Sequence, residues 1–243
     1  MRGLSLLGAA VLLVAAAPFD PFGEARIDER PGAQIPLDMP FADAAGHATT
    51  LRHLAAGKPI LLAPVQHNCP NICGVTLAGL ADATAKLPSG DVAVVALGID
   101  PHEKPADAAA DQARNPRLHA AFLVGGAPQV HAVTDALGYR YAYDPRIRQY
   151  AHIAASAVLS PDGKLVRWLN GIAPSANDLQ QAIADARAER TGAFERAIAL
   201  LCYHYDPQTG RYSLAISRIV EAAGLLTVLI IAGSIVLLRK GEA

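Results

Sequence analysis

The feature that most constrains this chain is a pair of cysteines, Cys69 and Cys73, set between an apolar run and an Ala-rich segment with helical spacing. Residues 59–65 are bounded by Lys58 and by the polar cluster that begins at Gln66, which predicts a buried strand. Pro64 has no N–H to give a ladder, so the strand is expected to end just before it. Residues 77–87 then repeat apolar side chains at helical intervals, so the cysteines stand where a strand hands over to a helix. Pro70 suits the first helical position, where its missing N–H has no partner to lose, with Cys69 at the cap and Cys73 one turn inside. A helix N-terminus favours negative charge, so both sulfurs are expected as thiolates. Soft thiolates at this spacing suit Cu(I), zinc or disulfide chemistry, and the pair alone does not choose among them.

The ends of the chain narrow the setting. Met1-Arg2 and the apolar stretch closed by Ala15-Ala16-Ala17 match a secretory signal peptide over residues 1–17, an uncleaved anchor being the alternative. Residues 222–238 carry no charge and run straight into Arg239-Lys240, so a transmembrane helix is expected over 219–238. Positive charge collects on the cytoplasmic side, which leaves the tail 239–243 inside and the domain outside. An extracytoplasmic domain is in oxidising surroundings, where three cysteines are paired or put to use. A formal net charge of -1 gives no basic face for a nucleic acid.

Between the ends lie a linker without period over 18–34, one domain over 35–190 and a juxtamembrane segment over 191–218. Short apolar fragments around Gly46 suit a hairpin leading into the first strand, and His47 and His53 there read as surface residues. A second buried strand, 91–98, ends at Ile99-Asp100-Pro101, with Asp100 as a turn or helix cap. A surface helix over 105–117, a strand over 122–124 and a helix over 127–137 follow. Residues 139–150 alternate aromatic and polar side chains around Asp144-Pro145. Segments 153–159 and 165–169, joined by Ser160-Pro161-Asp162-Gly163, form a hairpin. Ser175 caps a last helix that turns Leu179, Ile183 and Ala186 to the sheet. Strands and helices in alternation predict an α/β fold with a parallel-centred sheet flanked by helices.

A strand running into a Cys-bearing helix, then βαβ, then a closing hairpin and helix, is the thioredoxin-like arrangement, with C-x-x-x-C in place of the usual C-x-x-C. At this point the chain resembles the Sco family (SenC/PrrC-like copper proteins) in Cys69-Pro70-Asn71-Ile72-Cys73-Gly74, Gly98-Ile99-Asp100-Pro101, and His152 ahead of Ser160-Pro161-Asp162-Gly163. The resemblance spans residues 35–187. It implies a copper ion held by Cys69, Cys73 and His152 in a metallochaperone that helps mature the copper centre of cytochrome c oxidase subunit II. Two thiolates and an imidazole form a low-coordinate soft site suited to Cu(I), to which an added oxygen or nitrogen ligand admits Cu(II). The setting implied is a bacterial inner membrane, with the domain in the periplasm. The alternative is a thiol:disulfide oxidoreductase using Cys69 and Cys73 as its redox pair.

The chain departs from the family pattern at Ala151 and Ile153, where an acidic residue and a hydroxyl often flank the histidine, and in its C-terminal anchor. His67 reads as a rim residue with a lesser claim to be an alternative ligand. Cys202 and His204 form C-x-H, read as a buried cysteine and an interfacial histidine, or more sharply as a secondary copper contact.

Overall fold

The computed structural model describes residues 20–69 and 73–191, together with 205–206, 211–212, 224–225, 227 and 231. The first compact unit ends at Thr191. It runs α1 (Pro21–Glu24), β1 (Arg26–Ile27), β2 (Phe41–Asp43), β3 (Ala48–Thr49), α2 (Leu51–Ala55), β4 (Ile60–Val65) and α3 (Cys73–Thr84). There follow β5 (Ala93–Gly98), α4 (Pro105–Arg114), β6 (Ala121–Val124), α5 (Ala127–Leu137), β7 (Tyr139–Arg140), β8 (Ala142–Asp144) and β9 (Gln149–Ala151). Strands β10 (Ala155–Leu159) and β11 (Leu165–Asn170) and helix α6 (Ala176–Arg187) close the unit.

Seven strands make one mixed sheet in the order β11-β10-β4-β5-β6-β2-β3. Its centre, β4-β5-β6, is parallel, and the outer strands pair antiparallel. The central strands read as unbroken apolar runs because both faces are covered. Leu61, Ala63 and Val65 of β4 join Leu77 and Leu80 of α3, Ala108 of α4 and Leu179 and Ile183 of α6 on one face. Ile60 and Leu62 join Leu51 of α2, Val133 and Leu137 of α5, and Trp168 on the other. Ser175 caps α6, its side chain accepting from Asp178 N at 3.1 Å. This is the thioredoxin-like α/β layout.

Three expectations are corrected. Strand β4 runs through Pro64 to Val65 instead of stopping before it. The reason lies in the ladder: Pro59 O and Val65 O point towards β5, so Pro64 faces the β10 side, where pairing ends at Leu62. No N–H is wanted there. The hairpin around Gly46 forms, but as the sheet edge beside β6, with the short helix α2 between it and β4. Residues 20–34 are tied to the domain: β1 pairs with β7, and Asp28 N donates to Gly138 O at 2.8 Å. Gly138 ends α5 at φ 69, and a Cβ there would stand 2.0 Å from Asp28 O. Only glycine fits that junction.

In the second unit the described residues include a short antiparallel pair, Tyr205–Asp206 with Arg211–Tyr212, labelled β12 and β13. The signal segment 1–17 lies outside the described residues, as do all but four positions of 219–238. Among the described residues no helix is long and apolar enough to cross a membrane.

Candidate metal centre

Strand β4 delivers the chain to a turn at Gln66–Cys69, closed by Cys69 N donating to Gln66 O at 3.0 Å. Helix α3 begins at Cys73, so Cys73 lies in its first turn; Pro70, with its expected place at the first helical position, lies outside the described residues. Cys73 is buried and Cys69 half-buried, and both carry thiols. The expectation of two thiolates does not hold for Cys73. A hydrogen bond to the Cys69 sulfur and then burial drive its thiol far above the usual value, against a Gln66 backbone hydrogen bond that favours the anion. The first proton to leave this pair therefore leaves the second sulfur holding its own. A metal ion, by replacing that shared proton, removes the obstacle.

His152 stands in the connection from β9 to β10, with its Nε2 3.7 Å from Cys73 Sγ. Behind the ring is Tyr139, the first residue of β7, 1% exposed and stacked on Trp168 with centroids 5.5 Å apart. Its hydroxyl donates to Ile153 O at 2.6 Å and stands 3.0 Å from His152 Nδ1. A hydroxyl has one proton, already committed to the carbonyl, so Nδ1–H must be the donor to the Tyr139 oxygen. That tautomer leaves the Nε2 lone pair facing Cys73. Burial lowers the pKa of His152, which keeps the ring neutral and able to ligate. A ligand histidine needs its other nitrogen so anchored, and Tyr139 does this together with the Ile153 carbonyl, 3.4 Å from Nδ1.

The third donor comes from the turn. Cys69 hydrogen-bonds Cys73 and lies near enough to His152 to act on its charge. Cys73 thus meets His152 on one side and Cys69 on the other. Among the described residues no group of three or more Cys, His, Asp or Glu side chains is placed to hold a metal ion. Two sulfurs and one neutral imidazole suit a soft, low-coordinate ion such as Cu(I).

His67 is not at the rim. It is 1% exposed, with Nδ1 2.9 Å from Asp111 Oδ2 and Nε2 3.0 Å from Leu123 O, so both nitrogens are engaged away from the sulfurs. Burial pulls its pKa down, but Asp111, Glu103 and the Leu123 carbonyl outweigh it and the value is raised. Asp100 acts as the turn cap expected, accepting from His102 N at 2.9 Å. His47 and His53 are exposed. Cys202 and His204 lie outside the described residues. Sequence reading missed Tyr139, Glu103, Asp111 and Arg114; for Tyr139 the only signal was its place in the aromatic alternation of 139–150.

The family model described as SCO1/SenC matches residues 28–187. Among solved structures the chain is similar to a protein of Aquifex aeolicus VF5, with 22% identity and a TM-score of 0.61 over 65% of this chain and 95% of that one. It is similar to Arabidopsis thaliana ScoI, solved with copper bound, with 20% identity and a TM-score of 0.53 over 66% and 99% of the two chains. A third is BsSco, described as a member of the Sco family of cytochrome c oxidase assembly proteins and as having a disulfide switch. There the identity is 22% and the TM-score 0.51, over 65% of this chain and 96% of that one. No curated protein matches in sequence.

Proposed function

The chain belongs to the SCO1/SenC family, and from that premise we propose that it is a copper metallochaperone, holding the ion through Cys69, Cys73 and His152 and passing it to a cuproprotein acceptor. The observation that carries this reading is the placement of His152: its Nδ1 stands 3.0 Å from the Tyr139 hydroxyl, which donates to Ile153 O, and its Nε2 faces Cys73 Sγ across 3.7 Å. Copper is the cargo. Three protein ligands leave coordination open to an acceptor's side chains, so the ion can move by ligand exchange without release to water. The acceptor proposed is the copper centre of cytochrome c oxidase subunit II. The related BsSco is described as belonging to a family of oxidase assembly proteins, and ScoI of Arabidopsis thaliana has been solved with copper bound. A signal segment over 1–17 and a span over 219–238 would hold the domain in the periplasm against the inner membrane.

The test is Cu(I) titration of the protein against a competing chelator, repeated with Cys69→Ala, Cys73→Ala and His152→Ala. One tightly held copper in the parent and a large loss in each variant are expected. An unchanged affinity and Cu(II) spectrum in His152→Ala would overturn the three-ligand site. The hydrogen bond between the two sulfurs favours a second reading, a thiol:disulfide oxidoreductase. Insulin reduction at a thioredoxin-like rate, lost in both cysteine variants, would move the assignment there.

A further inference from the structure

Behind the Cys69 turn is a buried polar cluster that the copper chemistry does not use. Three side chains from α4 and the loop before it reach the two residues that precede Cys69. Asp111, itself 3% exposed, faces His67 Nδ1, and the other nitrogen of that ring faces the Leu123 carbonyl. With a partner at each nitrogen, the ring is held from both sides. Arg114 Nη2 donates to the His67 carbonyl at 2.6 Å and to Asp111 Oδ1 at 3.2 Å. Glu103 Oε1 accepts from Asn68 N at 3.0 Å, while its Oε2 is buried with no hydrogen-bond partner. Gly98 leaves room for the cluster: a Cβ there would stand 2.7 Å from Glu103 Oε2 and 3.0 Å from the His67 ring.

Such a cluster is costly to bury, and a hydrophobic core would serve folding as well. Its bonds converge on the backbone of His67 and Asn68. We infer that Asp111, Arg114 and Glu103 are positioning residues for Cys69. Acting through His67 and Asn68, they hold its sulfur at the place where it meets Cys73 and His152 as a metal ligand, rather than closing on Cys73 as a disulfide. The inference deepens the metallochaperone reading and rests on it for the identity of the ion. A disulfide wants its Cβ atoms about 3.5 to 4.5 Å apart. A pinned turn opposes that approach.

The experiment compares the parent with Asp111→Leu, Arg114→Met and Glu103→Leu, which remove the pins, and with Glu103→Gln, which keeps an acceptor for Asn68 N. Arg114→Met, at a half-exposed side chain, keeps the test decisive if Asp111→Leu does not fold. Asp185→Asn is the control for stability alone, since Asp185 is a carboxylate as buried as Glu103 whose partners Arg167, Gln181 and Arg190 lie on β11, on α6 and just beyond it. Two readouts are used: Cu(II) affinity with its thiolate-to-copper absorption band, and the reduction potential of Cys69 and Cys73 in metal-free protein. The removal variants are expected to lose about 10- to 100-fold in affinity, to shift the band and to move the potential to more negative values. Glu103→Gln and Asp185→Asn should stay near the parent in all three. Parent-like band, affinity and potential in the removal variants would overturn the inference. A parent that takes up no copper overturns the metallochaperone reading instead, and the metal-free potential still decides the positioning.

Discussion

One hydroxyl decides which nitrogen of His152 faces the sulfurs. Tyr139→Phe removes it and leaves His152 Nδ1 and Ile153 O only their long 3.4 Å contact with each other. Copper affinity should fall about 10- to 100-fold, the usual effect of losing the partner behind a ligand histidine, and stability by about 1 kcal/mol for the lost hydrogen bond. Chelator competition and urea unfolding measure the two; an unchanged affinity would mean that the ring is oriented by something else. Glu103 gives a second residue-scale prediction. Burial pushes its carboxyl up from 4.5 to about 7. A folded value above the unfolded one contributes stability that is full below about pH 4.5 and is lost as pH rises through 7, a change of about 3 kcal/mol. Glu103→Gln carries no such charge, so its stability relative to the parent should rise from pH 5 to pH 8 in urea unfolding. A constant difference would show that the carboxylate is matched when ionised. The proposed ligands Cys69, Cys73 and His152 could be named from sequence because their motif is local or carried by family resemblance. Tyr139 and Glu103 were not, since each meets its partner only after the fold closes: Glu103 reaches Asn68 from the loop before α4, and Tyr139 reaches His152 across the β8–β9 hairpin.

Among elements, α3 carries the first fixed sulfur and must sit close to the chain beyond β11. Gly79 makes this approach: a Cβ there would stand 2.5 Å from Ile172 O and 2.8 Å from Ala173 Cβ. Helix propensity alone says that Gly79→Ala should stabilise by about 1 kcal/mol. Overpacking against a backbone oxygen costs about 1 to 3 kcal/mol and outweighs it, so the variant should unfold at lower urea than the parent. A stabilised variant would show that the Ile172 segment yields easily. The long elements were legible because β4, β5, α5 and α6 hold their period over enough residues to be read. Helix α2 was not, being five residues long, although Thr50 caps it by accepting from His53 N at 3.1 Å. The β8–β9 hairpin escaped for a different reason. Its turn is made by Asp144 accepting from Arg146 N and by Arg148 at φ 54, side-chain chemistry that the Asp144-Pro145 pair only hints at.

For the molecule as a whole, the least legible boundary was the N-terminal one. Residues 18–34 mix proline, glycine and charge without period, which is how a linker reads. What ties them down is backbone, invisible to any pattern of side chains: Asp28 N to Gly138 O, Gly32 N to Leu165 O, and Leu165 N to Ala33 O, each at 2.8 to 2.9 Å. Asp28 adds ion pairs to Arg26 and Arg140, and Ile27 packs against the core. Residues 20–34 therefore brace the same α5–β7 junction that sets Tyr139 behind His152. A chain beginning at Ile35 should unfold about 2 to 4 kcal/mol more readily than one beginning at Asp20, at about 1 kcal/mol for each hydrogen bond lost. Its copper affinity should fall as well, because Gly138 loses its partner at the residue next to Tyr139. Urea unfolding and chelator competition on the two chains separate the outcomes. Equal stability would make 20–34 a tether after all, whereas lost stability with parental copper affinity would show that Tyr139 is held by its stacking on Trp168 alone.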